Sequence, residues 1–116
     1  MEIWKDIPNY EDYYQASNFG RIKSKDRYVN SNIKHNDKAL RKGKLLKLNI
    51  KKNGYLSVDL SKNNRPKTMS VHRIIAKTFL KNYSDNLEVN HKNGIKTDNR
   101  LINLEMVTKS QNIIHY

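Results

Sequence analysis

His91 lies in the stretch EVNHKNGIKTDNRLINLEMVTKSQN, Glu88 to Asn112, with Asn90 before it, Asn103 twelve residues on and Asn112 twenty-one on. A histidine that can take a proton near neutral pH, surrounded by oxygen donors, is a starting set for hydrolytic chemistry. Asparagine fills 16 of the 116 positions. Three such neighbours around one of four histidines therefore arise by accident about once in a hundred times, and spacing alone does not decide the matter. His35, His72 and His115 have no comparable neighbours. His72 reads as a helix-start residue that packs or hydrogen-bonds, and His35 falls in a loop.

The elements that must position His91 are legible in outline. Glu88–His91 reads as a short strand, 92–100 as a polar loop turning at Gly94, 104–107 as a second strand, and 109–116 as a terminal helix behind a possible Thr108 cap. Upstream, VHRIIAKTFLK over 71–81 places Ile74, Ile75, Thr78 and Phe79 on one helical stripe, with Ser70 as N-cap. Arg73, Lys77 and Lys81 repeat at four-residue spacing on another face.

The region from Leu45 to Val71 has the period of strands. Leu46, Leu48 and Ile50 alternate with Lys47 and Asn49. After Lys51-Lys52-Asn53-Gly54, Leu56, Val58 and Leu60 alternate with Tyr55, Ser57 and Asp59. Two alternating runs joined through Asn-Gly predict a hairpin. A further turn at 62–66 leads to a third strand at 67–71, giving an antiparallel meander with one apolar and one polar, basic face. Residues 26–44 are polar and aperiodic and read as a long loop. Near the start, strands are expected at 13–16 and 21–24 around Gly20, with Trp4 as a core anchor.

The charge is distributed unevenly. Residues 1–20 carry a net −3, residues 21–81 a net +15, and residues 82–116 none, within a total of +12. So dense a basic block calls for an anionic partner, most often nucleic acid. The basic and aromatic side chains on the predicted strands, turns and helix are Arg21, Lys23, Lys47, Lys51, Lys52, Tyr55, Arg65, Lys67, Arg73 and Lys77. No cysteine is present, which excludes disulfides, thiolate metal sites and cysteine nucleophiles. There is no apolar run of membrane-spanning length and no signal-peptide pattern, so no membrane association and a cytoplasmic setting are expected. Nothing resembles a dimer seam or an obligate partner surface, and a monomer is expected.

VHRIIAKTFLKN followed by EVNHKNGIKTDNRLINLEMVTKSQN closely resembles the HNH homing endonuclease family, a phage- and intron-encoded branch of the ββα-metal nucleases. EIWKDIPNYEDYYQASNFGRIKS is similar to the NUMOD4-like module that often precedes that nuclease domain. The resemblance implies an α+β fold. A small antiparallel β-sheet region with DNA-binding character over 1–70 would be followed by a helix and the ββα-metal motif over 71–116. It further implies double-stranded DNA as partner and His91 as the general base that takes a proton from the attacking water. Asn103 would be the central asparagine that ties the loop and orients His91. Asn90 and Asn112 would be ligands of one divalent ion, Mg²⁺ or Mn²⁺.

Two departures from the family pattern shape these expectations. Relatives often carry Asp where Asn90 stands, so the ligand pair brings no formal charge and metal affinity without DNA should be weak. The sequence runs only four residues beyond Asn112, which points to a short footprint and low sequence specificity. The implied activity is phosphodiester hydrolysis to 5′-phosphate and 3′-hydroxyl ends, with nicking as one outcome. A non-catalytic DNA-binding or regulatory protein that retains the HNH fold is the alternative, and an RNA-binding or ribosome-associated basic protein is a weaker third.

Overall fold

The amphipathic segment after Ser70 forms an α-helix, and the rest of the fold is arranged around it. The computed structural model describes residues 1–30 and 38–110. Helix α1 spans Val71–Phe79 and buries Val71, Ile74, Ile75 and Ala76, the i, i+3, i+4 spacing that keeps one stripe apolar. Ser70 occupies the N-cap position with extended backbone, but its side chain makes no capping hydrogen bond.

The chain opens on three antiparallel strands: β1 (Trp4–Asp6), β2 (Tyr14–Ser17) and β3 (Ile22–Ser24), in the order β1-β2-β3. The turn between β2 and β3 is built on Ser17. Its hydroxyl accepts from the amides of Phe19 and Arg21, both at 3.2 Å, and Gly20 takes φ +87°, which a glycine adopts without steric cost. Trp4 is not the core anchor expected of it. It lies half-buried on an outer strand with Lys23 Nζ 4.3 Å and the Arg21 guanidinium 5.7 Å from its ring centroid, and Ile7, Ala16 and Ile22 fill the core instead.

The segment 26–44 is not wholly loop. Strands β4 (Arg27–Asn30) and β5 (Lys38–Arg41) pair antiparallel, with Tyr28 opposite Leu40. Both of these side chains are exposed, as are Arg27, Ala39 and Arg41, and the segment carries no alternating apolar signature in sequence. The chain then runs beside β3, where Leu46 N donates to Ile22 O and Lys23 bridges Leu45. Strand β6 is consequently only Asn49–Ile50. Leu46 and Leu48 pack on the core while Ile50 is 68% exposed, which corrects the single apolar face expected of 46–50.

Strands β7 (Leu56–Lys62) and β8 (Arg65–Ser70) complete the order β6-β7-β8. They are joined by Asn63 and Asn64, both at positive φ, a two-residue turn that matches strand twist. Pro66 sits on the outer strand β8, where its missing N–H costs no ladder bond. Strands β9 (Glu88–His91) and β10 (Leu104–Val107) pair antiparallel, with a 3₁₀ turn at Leu101–Asn103 leading into β10. One core joins these parts: Ile7, Ala16, Ile22, Val58 and Leu60 from before the helix, then Val71, Ile74, Ile75, Val89 and Leu104. The fold is α+β, as the sequence predicts. No helix among the described residues is long and apolar enough to cross a membrane.

Candidate active site

His91 ends β9 directly opposite Leu104 and is 7% exposed. Its Nε2 lies 2.7 Å from Asn99 Oδ1. An amide oxygen only accepts, so Nε2 carries a hydrogen, and in the neutral ring the lone pair is then on Nδ1. Among the described residues Nδ1 has no hydrogen-bond partner. The sequence does not single out Asn99, which is one of many asparagines in the chain and eight residues from His91.

Asn103 is buried at the foot of β10 and spans the loop that follows His91. Its Oδ1 accepts from Asn93 N at 3.0 Å, and its Nδ2 donates to Asp98 O at 2.8 Å and Asn93 Oδ1 at 2.9 Å. The backbone closes the same loop, with Lys92 N donating to Asn103 O and Gly94, at φ +75°, donating to His91 O. Asp98 and Arg100 pair at 2.7 Å, and this hydrogen-bonded guanidinium holds the Asp98 carboxyl well below the usual carboxylate range. The loop is thus pinned at both ends by groups it contains.

Asn90 is buried beside His91 and faces Glu105 across the strand pair. Its Nδ2 donates to Glu105 Oε1 at 3.0 Å. This leaves the amide oxygen, the atom a hard cation takes, without a partner among the described residues. No cluster of three or more His, Asp or Glu side chains that could hold a metal occurs among the described residues. The donor types nevertheless fit an oxygen-seeking divalent ion, with the Glu105 carboxylate supplying negative charge alongside Asn90. Asn112 lies outside the described residues, as do His35 and His115, and of the helix expected over 109–116 only residues 109–110 are described, both with helical backbone.

Three rings gather at this site from distant parts of the chain. Tyr55 stacks on His72 at 4.9 Å between centroids and 25° between planes, and lies 5.8 Å from His91. His72 and His91 are 5.2 Å apart. Lys96 caps the Tyr55 face at 5.0 Å and donates to Asn53 O at 2.9 Å, tying the 92–100 loop to the turn before β7. Burial, then the neighbouring His91 and Arg73 charges, push His72 down to about 4, so at neutral pH it is an uncharged ring. Its Nδ1 and Asn99 Nδ2 are buried side-chain atoms without a hydrogen-bond partner among the described residues. The packing role expected of His72 at the helix start is what it performs, but its neighbour is His91, which helical period cannot reveal.

The NUMOD4 motif matches residues 2–61 and the HNH endonuclease model matches residues 70–113. The chain is a NUMOD4-bearing member of the HNH homing endonuclease family. DNA endonuclease I-HmuI of Bacillus phage SP01 is 38% identical over 110 residues, covering 95% of this chain and 55% of that protein. HNH endonuclease L245 of Acanthamoeba polyphaga mimivirus is 40% identical over 112 residues, covering 97% of this chain and 29% of its own length. A solved structure described as DNA binding and cleavage by the HNH homing endonuclease I-HmuI superposes with a TM-score of 0.80 at 37% identity. It covers 97% of this chain and 56% of that one. The chain therefore spans about half the length of I-HmuI.

Nine of the ten residues named from sequence for DNA contact fall into three groups in this HNH protein, and Lys77 lines an open cavity. Tyr55 belongs to the His91 ring cluster, and Lys51 and Lys52 are exposed on the neighbouring turn. Arg65 and Lys67 are exposed on β8, and Lys47 is exposed on the irregular stretch before β6. Arg21, Lys23 and Arg73 are engaged internally. Arg21 pairs with Glu2, Lys23 covers Trp4, and Arg73 donates to Tyr83 Oη at 3.1 Å and Leu87 O at 3.2 Å. An open cavity of about 390 Å³ lies among Ile7, Lys62, Lys67, Arg73, Lys77 and Asp85, and none of His91, Asn90 or Asn103 lines it.

Proposed function

We propose that this protein is a metal-dependent DNA endonuclease in which His91 is the general base. The observation that carries the reading is the bond from His91 Nε2 to Asn99 Oδ1. It leaves Nδ1 as the basic nitrogen, the form that takes a proton from water. Asn103 holds the 93–98 loop in shape and so keeps His91 at the end of its strand. Asn90, and Asn112 from the terminal segment, would hold one divalent ion, Mg²⁺ or Mn²⁺, through their amide oxygens. Such an ion, when bound, supplies Lewis-acid stabilisation of the leaving 3′-oxygen. The products are then a 5′-phosphate and a 3′-hydroxyl, and a single site acting alone nicks one strand.

Double-stranded DNA is the partner on this reading, met by Lys47, Lys51, Lys52, Arg65, Lys67 and Lys77 and by the basic residues near Trp4. The division into a DNA-binding module over 1–70 and a nuclease domain over 71–116, acting as a monomer, belongs to the same proposal. A second reading, a DNA-binding protein that keeps the fold without cutting, is favoured by one feature: Asn90 is an amide whose nitrogen is already committed to Glu105.

A plasmid nicking assay with Mg²⁺ and with EDTA separates the two. The endonuclease gives open-circular product only with metal, and His91→Ala loses it while DNA affinity in a mobility-shift assay is kept. Shifted DNA with no nicks under any metal overturns the catalytic reading.

A further inference from the structure

The turn at Ser17–Arg21 belongs to the NUMOD4 part of the chain, yet it lies against the residue that holds His91. A Cβ added at Gly20 would come within 2.9 Å of both the carbonyl carbon and oxygen of Asn99 and 3.1 Å of its Cβ. Contacts under 3.0 Å to backbone force a displacement, so only glycine lets the two backbones approach this closely. Two residues on, Leu101 N donates to Asn18 O at 2.8 Å. The turn itself is fixed, because Ser17 is fully buried with its hydroxyl accepting two amides, and Gly20 N donates to Ser17 O at 3.0 Å. Asn99 is 4% exposed, and its Oδ1 meets His91 Nε2.

From these contacts we infer that Asn99 is a positioning residue for His91, and that the Ser17–Arg21 turn of the N-terminal module is what sets Asn99 in place. The inference rests on the reading of His91 as the base and adds what selects its tautomer. In water, a neutral imidazole exchanges between Nδ1–H and Nε2–H forms. An amide oxygen fixed at Nε2 selects the Nε2–H form and holds the ring plane, which keeps the lone pair on Nδ1. Since Asn99 Nδ2 has no partner among the described residues, its own nitrogen does not hold the side chain to any of them. Its backbone, clasped between Gly20 and the Asn18 carbonyl, must do the holding. The N-terminal module is on this account part of the catalytic apparatus as well as a DNA-binding attachment.

The test uses the full chain labelled with ¹⁵N-histidine, and reads the His91 tautomer from two-bond ¹H–¹⁵N correlations at a pH where the ring is neutral. Wild type is expected to show the Nε2–H form alone. Asn99→Ala should give a mixture containing Nδ1–H, and Asn99→Asp, which keeps an oxygen acceptor, should restore Nε2–H. Gly20→Ala should produce the same mixture as Asn99→Ala, with circular dichroism reporting the fold. Should Gly20→Ala fail to fold, Ser17→Ala loosens the same turn without adding an atom at the contact.

In the nicking assay Asn99→Ala should lower kcat by on the order of 10²-fold with DNA affinity unchanged, and Asn99→Asp should recover part of it. A single Nε2–H tautomer in Asn99→Ala overturns the role of Asn99. A wild-type tautomer in the folded turn variant removes the module from the site. Absence of nicking in wild type would defeat the endonuclease reading alone, because the tautomer is read without turnover.

Discussion

Asn90 and Glu105 face each other across β9 and β10, and the Asn90 amide nitrogen donates to the Glu105 carboxylate at 3.0 Å. The pair explains how this chain tolerates an amide where relatives often carry Asp. An aspartate at 90 would set two carboxylates against each other, whereas asparagine turns the same contact into a charge-assisted hydrogen bond. Asn90→Asp is therefore expected to lower stability in EDTA by about 1 kcal/mol or more, like charges directly opposite being destabilising. Mg²⁺ or Mn²⁺ should then raise the melting temperature of Asn90→Asp by more than that of wild type, since a ligand that binds only the folded state stabilises it. Thermal melts with EDTA and with metal check this, and equal melting of the two proteins in EDTA would sink it.

Asn103 is the hub of the loop after His91, and its three side-chain hydrogen bonds are made within a buried setting. Asn103→Ala leaves the Asn93 amide and the Asp98 carbonyl without their partner, at an expected cost of about 2–4 kcal/mol. Asn103→Asp should be no milder. It keeps the acceptor for Asn93 N but brings a carboxylate oxygen against Asp98 O and Asn93 Oδ1, where an amide donated. Urea midpoints for the two variants give the comparison, and a change under about 0.5 kcal/mol in either would contradict the hub role.

The shared core makes a claim about cooperativity. Ile75 is fully buried in α1 and belongs to a cluster that includes Ala16 and Ile22 before the helix and Val89 and Leu104 after it. Ile75→Ala should cost roughly 2–5 kcal/mol and should destabilise both halves together. Trp4, the single tryptophan, reports on the N-terminal strands, while far-ultraviolet circular dichroism reports on the whole. Coincident urea transitions by the two probes are expected in wild type and in Ile75→Ala. Two separated transitions would mean that the module and the nuclease motif fold independently.

Much of the frame of the site was readable from sequence, because strand period and turn chemistry are local. β9 and β10 were placed within their bounds, and the Asn103 loop was marked by its polarity and Gly94. The partners that depend on which parts of the chain meet were not readable. Asn99 is chosen by its contact with Gly20, nearly eighty residues earlier. His72 reaches His91 only because α1 packs beside β9, and Tyr55 only because β7 begins there. Trp4 and Ile50 depart from the sequence expectation for a related reason. Apolar character predicts burial on average, but Trp4 lies under basic residues on an outer strand, and Ile50 lies beyond the point where the chain leaves β3.

His72 offers the last test, in acid. Its half-buried ring packs against Tyr55 and His91, with Arg73 next to it, and it is pushed from 6.5 down to about 4. Below about pH 6.5 the unfolded chain binds a proton at this residue that the folded chain does not, so stability falls with pH from there to about pH 4 and then levels. The upper bound of the loss is roughly 3 kcal/mol, less what the ring's partial exposure removes. His72→Phe keeps an aromatic ring in the stack and cannot titrate. The carboxylates and the other histidines are present in both proteins, so comparing the stability difference between about pH 7.5 and pH 4.5 in each isolates residue 72 from any packing penalty of the phenylalanine. Urea denaturation should show the variant losing about 1–3 kcal/mol less than wild type over that interval. Equal losses would mean that His72 takes up its proton in the folded protein as readily as in the unfolded chain.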